Sequence, residues 1–375
     1  VDAPLTPLGP VPEPMDNRIT DAKSELGKLL YFDPKLSGDA SLSCADCHAP
    51  KQGWGFSDPI CRGYPGAVHW RNCQTVVNSG FLGKLFWQGN AMSLEKQAKT
   101  AATGGVSGNG EADVMEQRLR QTPVYVEMFK EVFGTERPVL NDAWQAIATF
   151  ERAQLTQYDT PLDRYLEGDL GALSPLAVQG LELFTGKANC IECHNGAMLT
   201  DEKYYNLGVP RPFEWEESGL NTITFRFELY AKGSHEKYYR NFKEDLGLYF
   251  TTKRPSDMGK FRTPPLRYVL FTAPYMHAGQ FYTLEEVVDF YSEGGGENEM
   301  TGYAGNKTSI LKPLNLSDEE KEALVAFLEE LSGEEIVMAT PKVPPYESVP
   351  DIEGMSQAKA KRIGLEFYLS ATAKN

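Results

Sequence analysis

Apolar residues recur at three- and four-residue spacings along most of this chain, the signature of helices with one buried face. Thr20-Asp21 offers a cap for a helix over Ala22–Tyr31, with Leu26, Leu29 and Leu30 on one stripe and Pro34 as its stop. The same reading predicts helices over Leu94–Ala102, 112–120, 123–133 and 141–157. Thr160-Pro161 and Gly168–Gly171 bracket a boundary, after which Ser174-Pro175 opens a helix carrying Leu176, Val178, Leu181 and Leu183. Further helices fit Thr283–Tyr291 and Ser317–Leu331, the latter opening Ser-Asp-Glu-Glu in a capping pattern. Residues 200–260 are aromatic and charged with weak periodicity, 49–82 form a long Gly/Pro-rich loop, and 1–18 and 340–350 are Pro-rich. A last helix over 356–370 is expected to pack back on the body. Strand-like alternation is scarce, so the expected fold is mainly α with little β-sheet.

One internal repeat stands out: a helix followed by Cys-x-x-Cys-His. It occurs as Cys44-Ala-Asp-Cys47-His48 and again as Cys190-Ile-Glu-Cys193-His194. This is the attachment signature of c-type haem, in which two thiols add across the vinyl groups and the adjacent imidazole becomes an iron ligand. A zinc site needs four placed ligands, and a thioredoxin-like pair would sit in a βαβ pattern that neither motif has. Two covalently bound haems c are therefore expected, in two cytochrome c-like domains. The N-terminal one spans 1–160 and the C-terminal one 161–340, with 341–375 as a tail.

Composition narrows the partners. The chain has 375 residues, 41% of them apolar, and a formal charge of −15, which disfavours nucleic acid as a partner. No apolar run approaches the roughly 20 residues that span a bilayer. Two cysteines remain, Cys61 and Cys73. They either pair as a disulfide, closing a short loop worth about 3 kcal/mol, or are two unrelated thiols. Haem c and a disulfide agree on an oxidising compartment, so a periplasmic or cell-surface location is expected. Val1-Asp2-Ala3-Pro4 is no signal peptide, and the expectation is a mature chain.

Three stretches carry a family resemblance. Leu26-Gly-Lys-Leu-Leu-Tyr-Phe-Asp-Pro-Lys-Leu-Ser37 ahead of the first haem motif, Arg71-Asn72 with Phe86-Trp87-Gln88-Gly89, and Pro265–Gly279 with Leu324–Leu331 resemble the bacterial di-haem cytochrome c peroxidases and MauG. The resemblance implies a haem-dependent oxidoreductase acting on hydrogen peroxide. Where the peroxidases carry a Met ligand to the second haem, MauG carries a Tyr, and this chain has Tyr291; Met198 and Met276 are the alternative ligands. The resemblance further implies Trp87 as an indole between the haems. It also implies a calcium ion held by the Asn72 side chain and the Thr272 and Pro274 carbonyls, and Gln97 in the distal pocket of the first haem. The family's distal Glu has no match in register. Glu111 is the one carboxylate in the Gly-rich loop after Gln97, and it is either the catalytic base or a solvated loop acid. His69 stands too close to Arg71 to match the peroxidases' loop histidine and is expected in a loop or at the surface. Ala188 replaces the surface Trp of MauG, leaving Tyr204, Tyr205 and Trp215 as candidate exits for charge.

On Tyr291, the expected activity is MauG-like: hydrogen peroxide generates a high-valent di-haem state that oxidises a Trp or Tyr of a partner protein at a distance. The alternatives are a peroxidase fed by a small cytochrome or cupredoxin, and a di-haem electron carrier without chemistry of its own.

Overall fold

The computed structural model describes residues 4–64, 66–212, 219–241, 244–297 and 306–346. The helix expected over 356–370 and Trp215 lie outside them. Helix α1 (Asp21–Phe32) starts where Thr20 Oγ1 caps Lys23 N–H, and α2 spans Leu94–Thr103. Then come α3 (Ala112–Arg120), α4 (Pro123–Phe133), α5 (Leu140–Gln154), α6 (Pro161–Leu166) and α7 (Pro175–Thr185). The aromatic stretch 200–260, without clear periodicity in sequence, holds α8 (Gly219–Ala231) and α9 (Glu236–Asn241). Helices α10 (Leu284–Ser292) and α11 (Asp318–Glu329) follow, both opened by capping boxes. Sheet is confined among the described residues to two antiparallel two-residue pairs: β1 (Arg62–Gly63) with β2 (Ala67–Val68), and β3 (Tyr204–Tyr205) with β4 (Phe261–Arg262).

The repeat seen in sequence is a repeat in packing. In each half the helix ahead of the haem motif crosses the last long helix of that half, α1 on α5 and α7 on α11. A glycine sits at each crossing: a β-carbon on Gly27 would collide with the Ala146 carbonyl, and one on Gly180 with the Ala323 carbonyl. Close helix approach requires the missing side chain. Leu26, Leu30, Ile147 and Phe150 belong to one core; Ala177, Phe184, Leu324 and Phe327 belong to the other. A third cluster, with Trp70, Phe225, Tyr249 and Phe250, joins the loop after the first haem motif to α8 and its neighbours.

Buried ion pairs fix the ends of these cores. Asp163 accepts from Arg267 Nη1 and Nη2 at 2.9 and 2.7 Å and from Leu8 N–H at 2.9 Å, tying the N-terminal arm to the second half. In the first half Asp33 holds Lys35 at 3.1 Å and the Tyr125 hydroxyl at 2.6 Å. The Lys35 ammonium also donates to the Pro344 carbonyl, so the segment after α11 returns to the first half. Cys61 and Cys73 form the disulfide expected from the spare pair.

Candidate di-haem site

Both Cys-x-x-Cys-His segments open on one cavity of about 1000 Å³, at the upper end of ~300–1000 Å³ for small-molecule pockets. Cys44–Cys47 forms a single helical turn whose capping box pairs Ser43 with Asp46. Cys190–Glu192 is a tighter 3₁₀ turn after Asn189 in left-handed backbone. His48 Nδ1 donates to the Gln74 carbonyl at 2.8 Å, and His194 Nδ1 to the Leu199 carbonyl at 3.0 Å. Burial holds His48 down at about 4 and lowers His194, disfavouring the charged form of each ring. With Nδ1 engaged, each Nε2 keeps the lone pair that an iron requires. Burial also raises the four motif thiols, Cys44 and Cys190 to about 12 and Cys47 and Cys193 to about 11. The donor set and the cavity fit two haems c.

Trp87 occupies the seam between the halves. It is buried and lines the cavity, and its indole N–H donates to the Asn72 carbonyl at 3.0 Å. Its own carbonyl accepts from Arg262 N–H at 2.9 Å, and its ring meets His277 edge-on with centroids 6.4 Å apart. Asn72, Thr272 and Pro274 line the same cavity. The Asn72 amide nitrogen donates to the Phe56 and Asp58 carbonyls, which leaves Oδ1 as the atom suited to a hard cation.

The walls facing the two motifs differ. From the first half, Gln97 and residues 104–108 line the cavity. Glu111 does not: it is exposed, precedes α3 as its N-cap residue, and is absent from the cavity wall. The Gly-rich loop explains this. It turns inward through backbone bonds, Gly38 N–H to Gly108 O and Tyr64 N–H to Ser107 O, both 2.8 Å, and the carboxylate beyond it emerges on the outside. His69 departs from expectation in the opposite direction. Its ring lines the cavity, stacks on Trp70 with centroids 4.0 Å apart, and accepts Arg71 N–H at Nδ1. Burial, then the neighbouring Arg71 charge, holds it at about 3. At the second end Tyr291 lines the wall, and burial followed by the nearby Cys190 and Cys193 pushes its phenol well up. Met276 also lines the cavity, whereas Met198 does not. Ala188 is buried on the wall, so no aromatic stands there.

Two features of the cavity were not read from the sequence: the partner of Arg71, and Glu151. Arg71 is clamped by Asp245 at 2.5 and 2.7 Å and by the Gln88 side chain. Its partner lies 174 residues away, and no local pattern signals such a pair. Glu151 is buried, accepts from Ser79 Oγ at 3.3 Å, and is raised by burial to about 8. Its signal was available: an acid on the apolar face of α5 beside Trp144 and Ile147.

The sequence model of the di-haem cytochrome c peroxidase family matches residues 21–171. Cytochrome-c peroxidase IdrP1 of Pseudomonas sp. (strain SCT) is 49% identical, over 92% of this chain and 91% of the relative. The methylamine utilization protein MauG of Methylorubrum extorquens is 33% identical, over 89% of this chain and 85% of that protein. Among solved structures, a MauG-like protein associated with microbial copper homeostasis superposes with a TM-score of 0.73 at 29% identity, covering 88% of this chain and 95% of the other. With the paired motifs, one shared cavity and relatives matched over nearly their whole length, this chain belongs to the di-haem cytochrome c peroxidase family, whose members are haem-dependent oxidoreductases.

Proposed function

We propose that this protein reduces hydrogen peroxide with single electrons drawn from a small redox protein, a cytochrome or a cupredoxin. The observation that carries the reading is the shared cavity, with a haem-attachment motif at each end and Trp87 on the seam. The 49% identity to a cytochrome-c peroxidase supports it. Bound haem c supplies an iron that exchanges single electrons and a site for breaking the O–O bond.

The chain's own residues supply the rest. His48 and His194 would hold the irons through Nε2, with Gln74 and Leu199 fixing ring orientation. Gln97 and His69 offer polar groups on the first wall, where a peroxide needs its proton moved from the inner to the outer oxygen. Trp87 divides the path between the halves into two shorter steps. Tyr291 would fill the second iron's remaining position, and Asn72, Thr272 and Pro274 would hold a calcium ion at the seam. Export to the periplasm or cell surface belongs to the same reading.

The test is peroxide consumption by the haem-loaded protein with a reduced small cytochrome, at two donor molecules oxidised per peroxide. Unchanged peroxide would overturn the proposal. A second reading, MauG-type oxidation of a Trp or Tyr in a partner protein, is favoured by Tyr291 on the wall beside Cys190 and Cys193. Mass spectrometry of co-expressed neighbouring proteins after peroxide treatment separates the two, since only this reading changes the mass of a partner.

A further inference from the structure

Four tyrosines among the described residues line the cavity: Tyr31, Tyr205, Tyr275 and Tyr291. Tyr31 donates to the His48 carbonyl and Tyr275 to the Val269 carbonyl, acceptors that cannot take a proton. Tyr205 is different. Its hydroxyl donates to Asp201 Oδ2 at 2.7 Å, while Asp201 Oδ1 is held by Lys203 N–H at 2.9 Å. Tyr205 and Cys193, one of the two sulfurs that would join the second haem to the chain, line the same cavity and are close enough for each to shift the other's ionisation. Both Tyr205 and Asp201 are half-buried, and Tyr205 lines the cavity whereas Asp201 does not, so the pair leads outward from the wall.

We propose that Tyr205, with Asp201 as its proton acceptor, is the port through which electrons from the donor enter the second half. This rests on the peroxide-reducing reading above and names the route that reading requires. Tyr205 gives one electron inward across Cys193 as its O–H bond breaks and the proton forms an O–H bond on Asp201 Oδ2. One electron from the donor protein then refills the phenoxyl, and the proton returns. Two such cycles, with two further protons from solvent, reduce one hydrogen peroxide to two waters. Moving the proton with the electron avoids a phenol radical cation, a strong acid that water-poor surroundings cannot stabilise. The raised phenol, caused first by burial and then by the Asp201 bond, agrees with a proton retained until oxidation.

The adjacent tyrosine does not share these features. Strand geometry sends neighbouring side chains to opposite faces. Tyr204 is outside the cavity wall, and the Lys84 ammonium stands 5.1 Å from its ring centroid, which disfavours positive charge on it.

The experiment mixes haem-loaded protein with hydrogen peroxide, freezes it within milliseconds and records the electron paramagnetic resonance spectrum. A tyrosyl signal that narrows with ring-deuterated tyrosine is expected in the wild type and in Tyr204→Phe, and is lost in Tyr205→Phe. Asp201→Asn keeps a polar partner but removes the proton acceptor, so the radical forms more slowly by about tenfold or more. Oxidation of a reduced small c-type cytochrome slows by a similar factor in both variants, with thermal melts confirming that they fold. A wild type that consumes peroxide alongside a Tyr205→Phe variant with unchanged radical and donor rate overturns the port alone. A wild type that leaves peroxide intact overturns the functional reading, and the port with it.

Discussion

The two haem-attachment ends share a near side and differ on the far side. Each presents two cysteines on a short turn and an imidazole whose Nδ1 is held by a backbone carbonyl. To the rest of the cavity wall the first half contributes the glycine loop, Gln97 and His69, while the second contributes the Tyr291 phenol. Small and polar groups leave room for a small reactant; a phenol is a ligand in its own right. One repeated sequence unit thus supplies the same attachment residues twice, and the surrounding fold gives each copy its own neighbours.

The comparison is broken most severely by removing one copy. Cys190→Ala with Cys193→Ala should leave one covalent haem, read by intact mass, and abolish turnover of peroxide with an external donor.

Next in size is an effect on the second core alone. Asp163→Asn strands the buried Arg267 guanidinium, at a cost of about 3–5 kcal/mol in denaturant unfolding. Burial alone would raise the Asp163 carboxyl, but the hydrogen bonds and charge of Arg267 outweigh it and hold it below the usual range. Its contribution is therefore present above the ordinary carboxylate value of ~3.9 and fades as pH falls through the lower folded value. The substitution should flatten this acid limb of the stability curve.

Tyr291→Met sharpens the contrast between the ends. A thioether in place of the phenol should raise the second haem's potential by on the order of 100 mV, seen by redox titration, with the first haem unmoved. Trp87→Phe keeps an aromatic ring but loses the bond to Asn72. Electron transfer between the ends should slow by about tenfold, equivalent to about 1.4 kcal/mol, in stopped-flow measurements. The smallest effect belongs to Glu111→Gln, which should leave peroxide consumption within about twofold, as expected of an exposed acid away from the chemistry.

What was legible in sequence was what local physics encodes. Helix α1 needed only its Thr20 cap and leucine stripe, and α3 and α4 match their expected bounds. The near side of each site was equally plain, because five consecutive residues carry it. The far walls were not, since they are assembled from segments distant in sequence. His69 reaches the cavity because β1 and β2 turn the loop inward and Trp70 stacks on the ring, neither of which its neighbours announce. Glu111 was the nearest acid by counting, yet the glycine loop spends its inward approach on backbone. In 200–260, aromatic residues serve a core shared with the loop around Trp70, so no single amphipathic period shows.

The raised values of the four motif thiols bear on their reactivity. Thiolate, the form that adds to a vinyl carbon, is scarce at neutral pH when a cysteine ionises only near 11 or 12. The folded pocket therefore protects these sulfurs from ionising, and a chain that reached this packing without its haems would hold four quiet thiols in place of a reactive set.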